Sequence, residues 1–292
     1  MFSGSLVAIV TPMRPDGAVD FGAWSRLLEL HASNGTSGIV VGGTTGESAT
    51  LSESELWELT ERACAQVGKR MQVIAGSGTS STATTVERSR RLSELPIDGL
   101  LVVTPAYNRP TQEGLYQHFA AVSRATRTPV ILYNVPSRTA VDMQPRTVQR
   151  LAQLPGIVAV KEAVPDGERV RELVSVCPPD FAVLSGDDGS ACRSILAGMK
   201  GLISVTANVA PRAVSDMVAA AMKGDAEAAE SLDEPIAALH RDLFLEANPI
   251  PAKWALTRMG LIQGGIRLPL TELSAQHQPA VLAALSTAGL LS

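Results

Sequence analysis

Short apolar runs alternate with amphipathic stretches along most of the chain. The runs are Leu6–Val10, Gly38–Val41, Gln72–Ala75, Gly99–Val103, Pro129–Tyr133, Ile157–Val160, Phe181–Leu184 and Leu202–Val205. Each is rich in Val, Ile and Leu and nearly continuous, the pattern of parallel strands covered on both faces. Helical periodicity fills the gaps. In Ser52–Gly68, Leu56, Leu59, Thr60 and Ala63 recur at helical spacing. Ser52 with Glu55 forms a capping-box signature, and Gly68 closes the helix. Eight strand–helix units within roughly 250 residues predict an α/β fold, a (β/α)8 TIM barrel. An open doubly wound sheet is the competitor, but no GxGxxG follows the first strand and the repeat has no mid-chain break. Beyond residue 224 the strand pattern stops. Asp225–Glu246, Pro251–Gly260 and Ser274–Ala288 read as helices, a C-terminal helical appendage. The expected organisation is a barrel over 1–224 and a helical region over 225–292.

Composition narrows the chemistry. The chain has 292 residues and is 45% hydrophobic, ample for a large core. Its formal net charge is -4 and it has no basic tract, so nucleic acid is not an expected partner. Cys64, Cys177 and Cys192 lie far apart and match no zinc spacing, and sparse cysteine fits a reducing compartment. His31, His118, His240 and His277 form no HxH or HxxxH pair, so no metal site is expected. The apolar run Leu6–Val10 is too short to span a membrane and no basic flank precedes it. These features predict a cytoplasmic protein.

Lys161 stands out against this background. It interrupts Ile157-Val158-Ala159-Val160-Lys161-Glu162-Ala163, which otherwise reads as a buried strand. Desolvation disfavours an ammonium ion, and a desolvated lysine is the usual route to a Schiff base with a carbonyl substrate. The bland alternative is an edge-strand lysine that snorkels to water. The other four lysines, Lys69, Lys200, Lys223 and Lys253, lie next to Gly or in amphipathic stretches where solvation is easy.

The polar clusters share one rim. In a barrel the functional site lies at the C-terminal ends of the strands. There the chain places Gly42–Ser48, Thr104–Asn108, Tyr133–Arg138, Lys161, Ser185–Asp188 and Ser204–Asn208. The Gly42–Gly46 loop offers backbone N–H groups and hydroxyls suited to a carboxylate, or is simply a tight strand–helix turn. Tyr107 and Tyr133 suit proton relay, or bury their rings and cap their hydroxyls on backbone. Arg138 presents a fork for a substrate carboxylate, or for a surface ion pair. Asp187 and Asp188 read as caps of a helix beginning at Gly189 rather than as metal ligands.

Taken together, Gly43-Thr44-Thr45-Gly46-Glu47-Ser48, Tyr133-Asn134-Val135-Pro136-Ser137-Arg138-Thr139 and Val160-Lys161-Glu162-Ala163 resemble the dihydrodipicolinate synthase / N-acetylneuraminate lyase family. The similarity continues to Asn248-Pro249-Ile250-Pro251-Ala252-Lys253-Trp254 and covers nearly the whole chain. The resemblance implies a barrel enzyme that condenses pyruvate with L-aspartate 4-semialdehyde toward diaminopimelate and lysine. By motif position, Lys161 forms the imine with pyruvate. Thr44, Tyr107 and Tyr133 form the proton relay. Thr45 and adjacent backbone hold the pyruvate carboxylate, Arg138 binds the semialdehyde carboxylate, and Gly186 and Ile203 line the pyruvate pocket. The resemblance implies no cofactor, organic or metal, because the protonated imine is itself the electron sink. Sialic acid or keto-deoxy-sugar lyases share the lysine and the Tyr133 phenol. Arg138 in its Tyr-Asn-Val-Pro-Ser-Arg setting favours a short acidic second substrate over a sugar. A barrel that binds a keto acid without turnover is the alternative from another class, and the complete residue set argues against it.

Relatives pair as homo-oligomers, normally a tetramer of two tight dimers, with a single dimer as the alternative here. Tyr107 is then expected to reach into the neighbour's site. Many relatives carry a second tyrosine just before it, where this chain has Ala106. Lysine-inhibited relatives bind the end product between subunits with polar side chains. The matching positions here are Glu53, Leu56, Ser80, Thr84 and Ala106, beside Ser48 and Ala49. Most donors and acceptors are missing from this set, so insensitivity to L-lysine is expected.

Overall fold

The computed structural model describes residues 2–291. Eight parallel strands close into a barrel in sequence order: β1 (Gly4–Ala8), β2 (Gly38–Val41), β3 (Gln72–Gly76), β4 (Gly99–Val103), β5 (Val130–Asn134), β6 (Ile157–Glu162), β7 (Ala182–Ser185) and β8 (Gly201–Ser204). β1 pairs with both β2 and β8, which seals the ring. The expected strands fall within two residues of those observed. Helices between them form the outer layer, the longest being Glu53–Val67, Gln112–Ala125 and Phe21–Ser33.

Alternation along each strand splits the core in two. Leu6, Ala8, Val40, Ile74, Leu101, Ile131, Ala159, Leu184 and Ile203 fill the barrel interior. Their neighbours Val7, Ile39, Val73, Leu100, Leu132, Val160, Val183 and Leu202 face the helices. Sealed on both sides, the strands need apolar residues at successive positions. That need produces the unbroken runs.

The helix after β2 starts as expected. Ser52 accepts from Glu55 N–H while the Glu55 carboxylate accepts from Ser52 N–H, which occupies two N–H groups the first turn would leave unpaired. Gly68 ends it in a right-handed conformation, φ -60°, rather than the left-handed cap that a terminal glycine usually supplies.

The C-terminal helices depart from expectation. Asp225–Glu246 is not one helix: it runs as Ala226–Asp233, a 3-10 turn at Glu234–Ile236, and Ala237–Asp242. Pro235 is the cause, since it lacks the N–H that would bond one turn back and its ring crowds the carbonyl there. Two further helices, Ile250–Arg258 and Gln278–Thr287, follow among the described residues. The former is buried continuously from Ile250 to Leu256 and is not amphipathic. Lys253 within it is therefore not solvated as the sequence suggested. It is buried and bonded to the equally buried Glu47.

Candidate active site

At the C-terminal ends of the strands a cavity of about 190 Å³ opens, lined by Thr44, Thr45, Tyr133, Arg138, Lys161, Gly186 and Asn248 among others. Lys161 reaches it from inside the barrel. It shares strand parity with Ala159, an interior residue, so its side chain points inward. Its register partner on β5 is Tyr133, and the Lys161 Nζ lies 4.4 Å from the centre of the Tyr133 ring. Only 4% of Lys161 is exposed, and among the described residues its amine joins no ion pair. Gly186 explains itself by space. A Cβ there would meet Lys161 Cε at 2.9 Å and Ala163 Cβ at 3.0 Å, so any larger residue would push the lysine chain aside.

The loop after β2 supplies the hydroxyls. Gly42 sits at φ +62°, and a Cβ on it would strike Leu56 Cδ1 at 2.3 Å, so only glycine makes this turn. Thr11 Oγ1 donates to the Gly46 carbonyl at 2.7 Å and ties the loop to the end of β1. Thr44 is half-buried and Thr45 buried on the cavity wall. Thr45 Oγ1 accepts from Asn248 Nδ2 at 2.9 Å. Arg138 follows Pro136 in the short helix Pro136–Thr139. It is exposed on the cavity rim, and its Nη2 donates to the Asn248 backbone carbonyl at 3.2 Å.

Behind Lys161, on the helix-facing side of the barrel, lies a polar cluster that sequence inspection did not find. Glu162, next to Lys161 and opposite in parity, accepts from Arg169 Nε and Asn134 Nδ2, each at 3.1 Å, and from Val164 N–H at 3.0 Å. Arg169 also grips Asp142 with two N–H groups at 2.9 and 2.8 Å. Burial pushes the Glu162 carboxyl up from its ordinary range, against the pull of Arg169. The cluster fixes β6 immediately beside the lysine.

Of the residues expected at the site, Lys161, Tyr133, Thr44, Thr45, Arg138 and Gly186 converge on one cavity. Ile203 packs in the inner core with Tyr133 and Leu184 and is not part of the cavity wall. Tyr107 is apart: at φ +73° and 94% exposed, it projects outward on the loop after β4. Asp187 caps the turn at Ser190 as expected, accepting from its N–H at 2.9 Å. Asp188 instead turns inward and accepts from Val205 N–H at 2.9 Å and from the Ser204 hydroxyl. Asn248 and Phe244, which no local pattern singles out, also stand on the cavity wall. Asn248 opens the segment Asn248–Trp254, but nothing local marks its reach to Thr45. Among the described residues no cluster of three or more His, Cys, Asp or Glu could hold a metal ion, and no helix is long and apolar enough to cross a membrane.

Fold and cavity define a (β/α)8 barrel that presents a lysine amine at its C-terminal rim. The chain belongs to the dihydrodipicolinate synthetase family, whose model matches residues 1–288. A relative from Methylococcus capsulatus, named 4-hydroxy-tetrahydrodipicolinate synthase, is 52% identical over 291 residues and covers 100% of both chains. Among solved structures, the chloride-inhibited dihydrodipicolinate synthase of Acinetobacter baumannii complexed with pyruvate matches at TM-score 0.98 and 47% identity, over 100% of both chains. A DHDPS from Cyanidioschyzon merolae with lysine bound matches at TM-score 0.96 and 38% identity, over 99% of both chains.

Proposed function

We propose that this chain is a Schiff-base lyase that condenses pyruvate with L-aspartate 4-semialdehyde to 4-hydroxy-tetrahydrodipicolinate, on the route to diaminopimelate and lysine. The observation that carries the reading is Lys161, buried beside Tyr133 yet open to a cavity whose rim bears Arg138. The amine adds to the pyruvate ketone and expels water as the imine forms. The protonated imine draws electrons from the methyl carbon, which loses a proton and becomes an enamine. That carbon attacks the aldehyde, and the semialdehyde amine then displaces Lys161 and closes the ring. Thr44 and Tyr133 stand where protons must move, with Tyr107 as the third relay group. Thr45 takes the pyruvate carboxylate, Arg138 the second carboxylate. In this reading the chain up to residue 224 is the catalytic barrel, and the helical region after it contributes Phe244 and Asn248 to the cavity wall.

One assay tests the reading: turnover with both substrates, paired with borohydride reduction in the presence of pyruvate. Activity is expected, with the label on Lys161 by mass spectrometry. A label on another lysine, or none, would remove the reading.

Two finer proposals accompany it. The chain works as a homo-oligomer, a dimer or a pair of dimers, in which Tyr107 completes the neighbour's site. Its exposure in a single chain supports this. Mixing Lys161→Ala with Tyr107→Phe subunits is then expected to restore activity, because one mixed site is whole. The chain is also insensitive to L-lysine. Leu56 is buried and apolar, and the Glu53 carboxylate is already paired with Arg88, so an incoming ammonium competes with a guanidinium for it. Each unmatched polar group of a desolvated amino acid costs about 1–3 kcal/mol. Steady-state rates unchanged by lysine at low millimolar concentration are expected, and strong inhibition would refute this.

A further inference from the structure

Asn248 contacts both of the groups proposed to bind substrate carboxylates. Its Nδ2 donates to Thr45 Oγ1 at 2.9 Å, and its backbone carbonyl accepts from Arg138 at 3.2 Å. It is buried on the cavity wall, and its Oδ1 meets no hydrogen-bond partner. An asparagine kept only for packing would have both ends of its amide satisfied. A hydroxyl has one hydrogen and two lone pairs. Because Asn248 occupies a lone pair of Thr45, the Thr45 hydrogen must point elsewhere. Thr45 lines the cavity, and its hydroxyl has no hydrogen bond besides that from Asn248, so its hydrogen is free to turn there. A donor that itself accepts a hydrogen bond is polarised and becomes a better donor to an anion.

We infer that Asn248 is a positioning residue for the keto-acid carboxylate, turning the Thr45 hydroxyl toward it. The inference rests on the proposed function. It gives the C-terminal region a direct part in selecting an α-keto acid over an uncharged carbonyl compound, because the oriented donor bonds a negative oxygen more strongly than a neutral one.

The test is a double-substitution cycle on Asn248→Ala and Thr45→Val. The readouts are KM for each substrate and the pyruvate concentration that half-saturates borohydride inactivation. Asn248→Ala is expected to raise both pyruvate values about tenfold, the loss of one hydrogen bond aimed at a charge. KM for the semialdehyde is expected to stay within about twofold, since the backbone carbonyl under Arg138 is retained. In the Thr45→Val background, Asn248→Ala is expected to have no further effect on pyruvate. Asn248→Asp keeps the side-chain volume but cannot donate and adds a like charge, so it is expected to be worse than Asn248→Ala. It carries the test should Asn248→Ala fail to fold. Unchanged pyruvate dependence in a folded variant, equal rises in both KM values, or additive effects in the cycle would each overturn the inference. If the unsubstituted chain is not trapped by pyruvate and borohydride, the proposed function falls and the inference with it. If it is trapped and the variants match it, only the role of Asn248 falls.

Discussion

Two lysines, Lys161 and Lys253, are each only 4% exposed. Lys161 rises from β6 into the barrel, stacks against Tyr133 and has no carboxylate partner among the described residues' ion pairs. Lys253, in the helix Ile250–Arg258, bonds to the buried carboxylate of Glu47. Burial pushes the Lys253 amine down from its ordinary range, and the Glu47 charge opposes that push. Equal burial is thus met by opposite surroundings, and the proposed chemistry depends on the difference. A lysine held by a carboxylate spends its donors on the protein and offers no lone pair to a carbonyl. A lysine held by a ring face and an open cavity is free to react. Lys253 still serves the site, because Glu47 ends the loop bearing both threonines, and Arg267 N–H secures the other Glu47 oxygen at 3.2 Å.

The comparison breaks most visibly at Lys161. Lys161→Ala is expected to cost more than about a thousandfold in kcat, the scale of losing a covalent nucleophile, with unfolding little changed because no buried charge is orphaned. Rate assays alongside urea denaturation separate the two. A folded variant that retains a tenth of the activity would end the claim that this amine is the nucleophile.

Lys253→Met is expected to show the reverse balance. Removing the amine leaves Glu47 buried and unpaired, at a cost of about 3–5 kcal/mol. The pair Glu47→Gln with Lys253→Met is expected to recover most of that stability. Urea midpoints measure both, and a loss under about 1 kcal/mol for the single change would mean that water reaches Glu47.

The smallest effect lies one contact further out, where the Arg267 guanidinium pairs with Glu55. The hydrogen bond from Arg267 holds the Glu55 carboxyl down at about 2, against an ordinary 4.5. A carboxylate lowered on folding stabilises above its unfolded value and loses that contribution as pH falls from about 4.5 toward about 2. Glu55→Gln keeps the cap on Ser52. It is expected to cost about 1–2 kcal/mol at neutral pH, less than the full shift implies because the pair is partly open to water, and the gap is expected to close with acid. Unfolding midpoints of the two proteins that stay equally far apart from neutral to strongly acidic pH would refute it.

The barrel was legible because its strands are sealed on both faces, so eight apolar runs stand out as runs. The same sealing hid which residue faces which way, since both parities are apolar. Only at Val160-Lys161-Glu162 does the chain mark the two faces with charge, and Lys161 could be read there from the cost of burying it. What stayed illegible depends on distance. Asn248 meets Thr45 across 203 positions and Lys253 meets Glu47 across 206, and no local pattern encodes such a meeting. Lys253 looks solvated in the sequence because its stretch resembles an amphipathic helix, whereas tertiary packing buries it. Pro235 was in plain view, and its power to break the helix was outweighed by the Ala- and Leu-rich residues around it.

The alternation at the end of β6 also sets which genetic changes the protein tolerates. Lys161 faces the cavity and Glu162 the Arg169–Asp142 cluster because the strand has a fixed number of residues before them. Losing one codon among those for 157–160 would exchange the two faces. A carboxylate would enter the cavity, and an amine would be driven against Arg169. A single apolar substitution in the same stretch costs only a packing increment, about 0.5–1.5 kcal/mol for a lost methylene. A deletion library scored beside a substitution library is expected to find this segment permissive to the second and closed to the first. For β6, heritable variation is limited by length rather than by composition.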